Sequence, residues 1–142
     1  MLIHATAVVL DGAAVLLTGL PGVGKSDLAL RLIDRGWSLL ADDQVMMGVD
    51  GGVLIAAAPS TIAGLIEVRG VGIVRIPHVA RAPIALVVTL GAERERLPEP
   101  ASVSYLGLTV PMTTLDPWSV SAAIKVTYAF AHARLALSAA GA

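Results

Sequence analysis

Residues Gly19-Leu20-Pro21-Gly22-Val23-Gly24-Lys25-Ser26 fit the pattern G-x-x-x-x-G-K-[ST]. That pattern carries meaning only when a strand feeds it and a helix leaves it. Both flanks are present: Ala13 to Thr18 is an apolar run, and Lys25 to Arg35 has an amphipathic helical pattern. Glycines let the backbone curl until several N–H groups converge on one phosphate, and the helix N-terminus adds partial positive charge there. Gly19 to Ser26 is therefore the expected phosphate cradle. Lys25 is directed at the β/γ-phosphates and the Ser26 hydroxyl at Mg²⁺.

A chain of 142 residues suffices for one domain with a real core, so residues 1–142 are expected to fold as a single P-loop domain. Only 15% of residues are charged, and the net charge is −1. That balance argues against a large nucleic-acid footprint. It also leaves apolar surface that a partner, including a second copy, could cover. The sequence holds no Cys, which excludes disulfide and thiolate chemistry and is compatible with a cytoplasmic location. No basic segment precedes the apolar start, and the longest later apolar run, Ile84 to Leu90, is too short to span a bilayer. No membrane association is expected. Gly91 to Ser102, with its charges and two prolines, reads as the loosest segment.

In chain order, Leu2 to Leu10 is a strand and Asp11-Gly12 a hairpin turn returning into Ala13 to Thr18. Leu28, Ala29, Leu32 and Ile33 form the core face of the P-loop helix, and Gly36 supplies its left-handed stop. Trp37 to Leu40 is expected to run parallel alongside the P-loop strand after a right-handed crossover. It ends in Asp42-Asp43, where carboxylates can reach Mg²⁺ or an attacking hydroxyl. Adjacent strand residues point to opposite faces, so the two aspartates should not share one job. Asp50-Gly51-Gly52 and Gly107 mark two further hairpins. Pro59-Ser60-Thr61 starts a short helix to Leu65. Glu67 and Arg69 alternate with apolar residues on one strand face. They read either as a surface ion pair or as a metal-directing carboxylate with a phosphate-directing cation. A loop from Pro77 to Pro83 precedes the strand Ile84 to Leu90. Asp116-Pro117 predicts an N-cap for a last helix to about Ser138, packed through a stripe of Ile124, Tyr128, Ala131 and Leu135, with Val120, Ala123 and Val126-Thr127 filling around it. His4, on the first strand, reads by pattern alone as a structural side chain.

The fold class is thus α/β: a P-loop-containing mixed sheet with antiparallel hairpins, a P-loop helix and a C-terminal helix. The motifs together resemble the C-terminal catalytic domain of HPr kinase/phosphorylase, an HPr kinase/PEP carboxykinase-like fold. The resemblance rests on Gly19 to Ser26, on Asp27 to Gly36, on Ala41-Asp42-Asp43-Gln44-Val45, on Ala57-Ala58-Pro59 and on Ile66 to Ile73. It covers residues 2 to 96 well and the remainder weakly.

That resemblance implies an ATP- and Mg²⁺-dependent kinase for a serine of HPr, the phosphocarrier protein of the phosphotransferase system. It also implies a reverse phosphorolysis that consumes phosphate and releases pyrophosphate. Asp43 resembles the carboxylate that takes the serine proton, with Asp42 beside it. Lys25 resembles the phosphate-neutralising lysine, and Ser26 and Glu67 the Mg²⁺-directing pair. His4 aligns with a family histidine ahead of the P-loop, with Ala5 where glycine is usual, and Arg96 resembles the arginine of a D-R-L-G segment.

The chain departs from the family at three places. No counterpart of the N-terminal domain of long members is expected in residues 1–142, and the loop between Ile76 and Ile84 is short. Thr114 to Ser119 replaces an Arg-rich segment. The pattern looks like the short, catalytic-domain-only members of alphaproteobacteria. Arg75, Arg81 and Arg94 are the candidates for docking HPr. The alternative is a non-catalytic module that senses nucleotide or phosphate.

Overall fold

The computed structural model describes residues 1–93 and 95–140, with side chains as far as residue 135. Its elements in chain order are β1 (Leu2–His4), β2 (Thr6–Leu10), β3 (Ala13–Thr18), α1 (Lys25–Asp34), β4 (Ser38–Ala41), β5 (Gln44–Asp50), β6 (Val53–Ala57), a 3-10 turn (Ser60–Ile62), β7 (Leu65–Val68), β8 (Gly72–Arg75), β9 (Arg81–Leu90), β10 (Ala101–Tyr105), β11 (Leu108–Leu115) and α2 (Ala122–Ala140). Nine strands make one curled mixed sheet, and β7 and β8 form a separate hairpin. Only β3 and β11 run parallel to their neighbour β9; the remaining pairs are antiparallel.

The P-loop strand β3 is apolar at nearly every position because both of its faces are covered. Val15 and Leu17 pack in a core shared with α1 and α2. Ala14 and Leu16 face a second core, which β5, β6 and β11 close from the other side. The α1 helix buries Leu28, Ala29 and Leu32. It stops where expected: Gly36 is left-handed at φ 103°, and its N–H donates to the Ile33 carbonyl at 3.1 Å.

The run expected as one strand from Leu2 to Leu10 is broken at Ala5. His4 pairs with Gln44 and Ala7 with Ala41, so Ala5 and Thr6 lie opposite Asp43 and Asp42. Asp43 is left-handed, with φ 70°, and that kink interrupts the ladder on both sides. The Ala5 N–H still donates to the Asp43 carbonyl at 3.2 Å. The strand β4 does run parallel to β3, but not beside it. The Asp11-Gly12 hairpin folds β2 into the slot between them, and β4 pairs with β2.

Three further expectations are corrected. The helix expected from Pro59 to Leu65 is only the 3-10 turn. Left-handed Gly64 (φ 75°) ends it and receives the Ile76 N–H at 2.8 Å. Arg81 to Pro83 belongs to β9 rather than to a loop, because it pairs with Ile55 to Ala57 of β6. Arg69 lies in the turn after β7 instead of on the strand.

The last helix starts at Ala122, five residues after Pro117. Asp116 caps a turn instead: its Oδ1 accepts the Trp118 N–H at 2.9 Å. The helix also buries a different face. Ala123 and Val126, expected at the margin of the stripe, are inside with Phe130 and Ala133, whereas Ile124, Tyr128 and Leu135 are exposed, Tyr128 by 74%. An Ala-rich helix that is apolar all round offers no unique stripe. The choice is made by Phe130, whose ring meets buried Trp37 edge-on at 5.0 Å and 65°. Phe130→Ala is therefore expected to lower unfolding free energy by about 3–5 kcal/mol in urea denaturation. Tyr128→Ala should change it by no more than about 0.5 kcal/mol. Equal losses would contradict this packing.

Candidate active site

The site forms where the start of α1, the β4–β5 kink, the β7 end and the loop before α2 meet. The cradle backbone turns through left-handed glycines, Gly24 at φ 112° among them. The Lys25 Nζ donates to the carbonyls of Gly19 and Leu20, at 2.9 and 3.1 Å. This fold-back holds the ammonium over the loop. The main-chain N–H groups of the loop and the first turn of α1 make the region an anion site.

Asp42 is 8% exposed and accepts three hydrogen bonds. The Ser26 hydroxyl donates to Oδ1 at 2.6 Å, and the Thr6 hydroxyl donates to the same oxygen at 3.0 Å. The Glu67 main-chain N–H donates to Oδ2 at 3.0 Å. The Thr6 oxygen in turn lies 3.3 Å from the Asp43 N–H, which donates to it. One buried carboxylate thus joins α1, β2 and β7.

Asp43, by contrast, is exposed. It lines a cleft of about 310 Å³ together with Lys25, Ser26, Glu67, Arg69 and Trp118. The kink explains the separation: left-handed Asp43 turns the chain out of β4, so the neighbouring carboxylates leave in different directions. Glu67 and Arg69 both line the cleft, and no ion pair joins them among the described residues.

The structure does not bring every predicted residue here. His4 is exposed, one residue along the ladder from the Asp43 partner Ala5, and does not line the cleft. Arg96 is exposed between β9 and β10, also outside the cleft. Of the candidate docking arginines, Arg75 is exposed at the end of β8. Arg81 pairs with Asp50 at 3.1 Å on the surface, a contact worth about 0–1 kcal/mol. Arg94 lies outside the described residues.

The family described as "HPr Serine kinase C-terminal domain" matches residues 1–114. The chain belongs to this family. The HPr kinase/phosphorylase of Clostridium tetani is 44% identical over 75 residues, 53% of this chain and 25% of the relative. That of Lactobacillus acidophilus is 40% identical over 96 residues, 62% of this chain and 30% of the relative. The chain thus spans about a quarter of the length of the curated relatives it matches. The solved Hpr(Ser) kinase/phosphatase from Coxiella burnetii superposes with a TM-score of 0.84 at 28% identity, covering 97% of this chain and 99% of that one. The α/β fold of the HPr serine kinase C-terminal domain therefore extends through α2, beyond the residues 2 to 96 that carry the motifs.

Two residues at this cleft were not singled out from sequence. Thr6 is the only polar residue between Ala5 and Leu10 and is fully buried. A hydroxyl inside an otherwise apolar strand was the available signal. Trp118 was visible only as part of a segment unlike the family pattern. Thr6→Val leaves Asp42 and the Asp43 N–H each one partner short. It is expected to destabilise the chain by about 1–3 kcal/mol in urea unfolding, and Thr6→Ser to recover most of that.

Proposed function

We propose that residues 1–142 form one catalytic domain that uses ATP and Mg²⁺ to phosphorylate a serine of an HPr-type phosphocarrier protein in the cytoplasm. The single observation that carries this is the division between the aspartates. Asp42 is occupied by three donors, while Asp43 opens into the P-loop cleft beside Lys25. A carboxylate left open beside a phosphate cradle can accept a hydroxyl proton.

In this reading the serine oxygen attacks the γ-phosphorus and its proton passes to Asp43. The bond from the γ-phosphorus to the bridging oxygen breaks, and ADP leaves with that electron pair. Lys25 and the loop N–H groups neutralise the phosphates, and Arg69 adds a cation at the rim. In phosphorolysis, inorganic phosphate attacks phosphoserine, pyrophosphate forms, and protonated Asp43 returns its proton to the serine oxygen.

The donor set also fits Mg²⁺. Ser26 and Glu67 bring a hydroxyl and a carboxylate to one cleft, hard oxygen donors of the kind this ion takes alongside substrate phosphates and water. When bound, Mg²⁺ would neutralise phosphate charge. Asp42 would keep the Ser26 oxygen turned into the cleft.

Transfer of radiolabel from γ-labelled ATP to purified HPr tests the reading. Asp43→Asn is the suitable variant, because asparagine also tolerates the left-handed backbone. Its transfer rate should fall by about 10²- to 10⁴-fold with ATP binding retained. Undiminished transfer would overturn the role of Asp43. Tight nucleotide binding with no transfer by the parental chain would favour the sensing module.

A further inference from the structure

We infer that Trp118 is the platform on which the nucleobase stacks. The inference rests on the nucleotide-binding reading above and adds to it the place where the base lies.

Trp118 is 61% exposed, yet its position is tightly specified. Its main-chain N–H donates to the Asp116 carboxylate at 2.9 Å. The preceding carbonyl, of buried Pro117, accepts from Arg31 Nη2. Arg31 is itself held on α1 by an ion pair with Asp27 at 3.1 Å. The loop before α2 is thereby pinned to the P-loop helix.

The ring meets the cradle at one residue. A Cβ placed on Gly24 would lie 3.0 to 3.4 Å from three atoms of the benzo half of the indole, Cζ2, Cη2 and Cε2. Gly24 immediately precedes Lys25, so the indole rests against the phosphate loop itself. The glycine is needed twice, for its φ of 112° and for this approach.

The indole forms a wall of the cleft together with Leu30 and Asp27, one turn into α1. A nucleotide whose phosphates occupy the cradle must send its base out past some part of the rim. This part presents a flat aromatic surface and an aliphatic side chain, with the Asp27 carboxylate beside them neutralised by Arg31. The Asp43, Glu67 and Arg69 side of the same cleft is charged. Stacking on an aromatic ring is favourable for a base and absent for inorganic phosphates.

The test compares ATP with pyrophosphate by isothermal titration calorimetry, using the full chain and its Trp118→Ala and Trp118→Phe variants. The expected result is a 10- to 100-fold weaker ATP affinity in Trp118→Ala, recovery to within about 3-fold in Trp118→Phe, and unchanged pyrophosphate affinity throughout. Because Trp37 is buried at 4% exposure, fluorescence quenching by ATP but not pyrophosphate should also report on Trp118. Unchanged ATP affinity in Trp118→Ala would overturn the inference. So would an equal loss of ATP and pyrophosphate, which would make the ring a prop for the loop. Failure of the parental chain to bind either ligand would instead remove the nucleotide reading, and this inference with it.

Discussion

The structure depends on the burial of one carboxylate. Asp42 sits almost out of solvent among apolar strands, and a charge there is tolerated only with full hydrogen bonding. Its three donors come from separate parts of the chain: Ser26 from the first turn of the P-loop helix, Thr6 from the N-terminal hairpin and Glu67 from the β7–β8 hairpin. Satisfying this charge brings the phosphate cradle, the sheet and the Glu67 hairpin into one arrangement. The same bonds leave the next residue, Asp43, at a left-handed kink with its side chain in the cleft.

That arrangement accounts for the sheet as well as the site. The β1–β2 and β4–β5 segments are one antiparallel course bent at Ala5 and Asp43, so its two halves join different parts of the curled sheet. A left-handed non-glycine residue costs of order 1–3 kcal/mol. Here the surrounding bonds over-determine it: Ala5 donates to the Asp43 carbonyl, and the Asp43 N–H reaches Thr6. The strain coincides with the residue that carries the proposed chemistry.

Much of this was legible in the residues. Local signals were strong where backbone chemistry decides the outcome: the Lys25-Ser26 cradle, the Asp11-Gly12 and Asp50-Gly51-Gly52 turns, and the Gly36 stop. Adjacency of Asp42 and Asp43 was enough to expect that they diverge. Signals failed where long-range packing decides. Nothing in the pattern of α2 distinguishes Phe130 from Tyr128 as the buried ring, because that choice depends on Trp37 almost a hundred positions earlier. Nothing near Trp37 announced that β4 would pair with the outer edge of β2 instead of with β3. The cleft role of Trp118 depends on a contact with Gly24 and a pin from Arg31, neither of which is a sequence pattern. His4 and Arg96 were named through resemblance alone, and both lie outside the cleft.

Asp42 organises the site through its side chain, whereas the Asp43 carboxylate makes no hydrogen bond among the described residues and only its main chain holds the kink. Urea unfolding of Asp42→Asn and Asp43→Asn measures this most directly. Asparagine at 42 keeps the volume but removes the charge and turns an amide N–H₂ toward a donor. The expected loss for Asp42→Asn is about 2–3 kcal/mol, and for Asp43→Asn it is within about 0.5 kcal/mol of zero. Similar losses at both positions, or none at Asp42, would contradict the account.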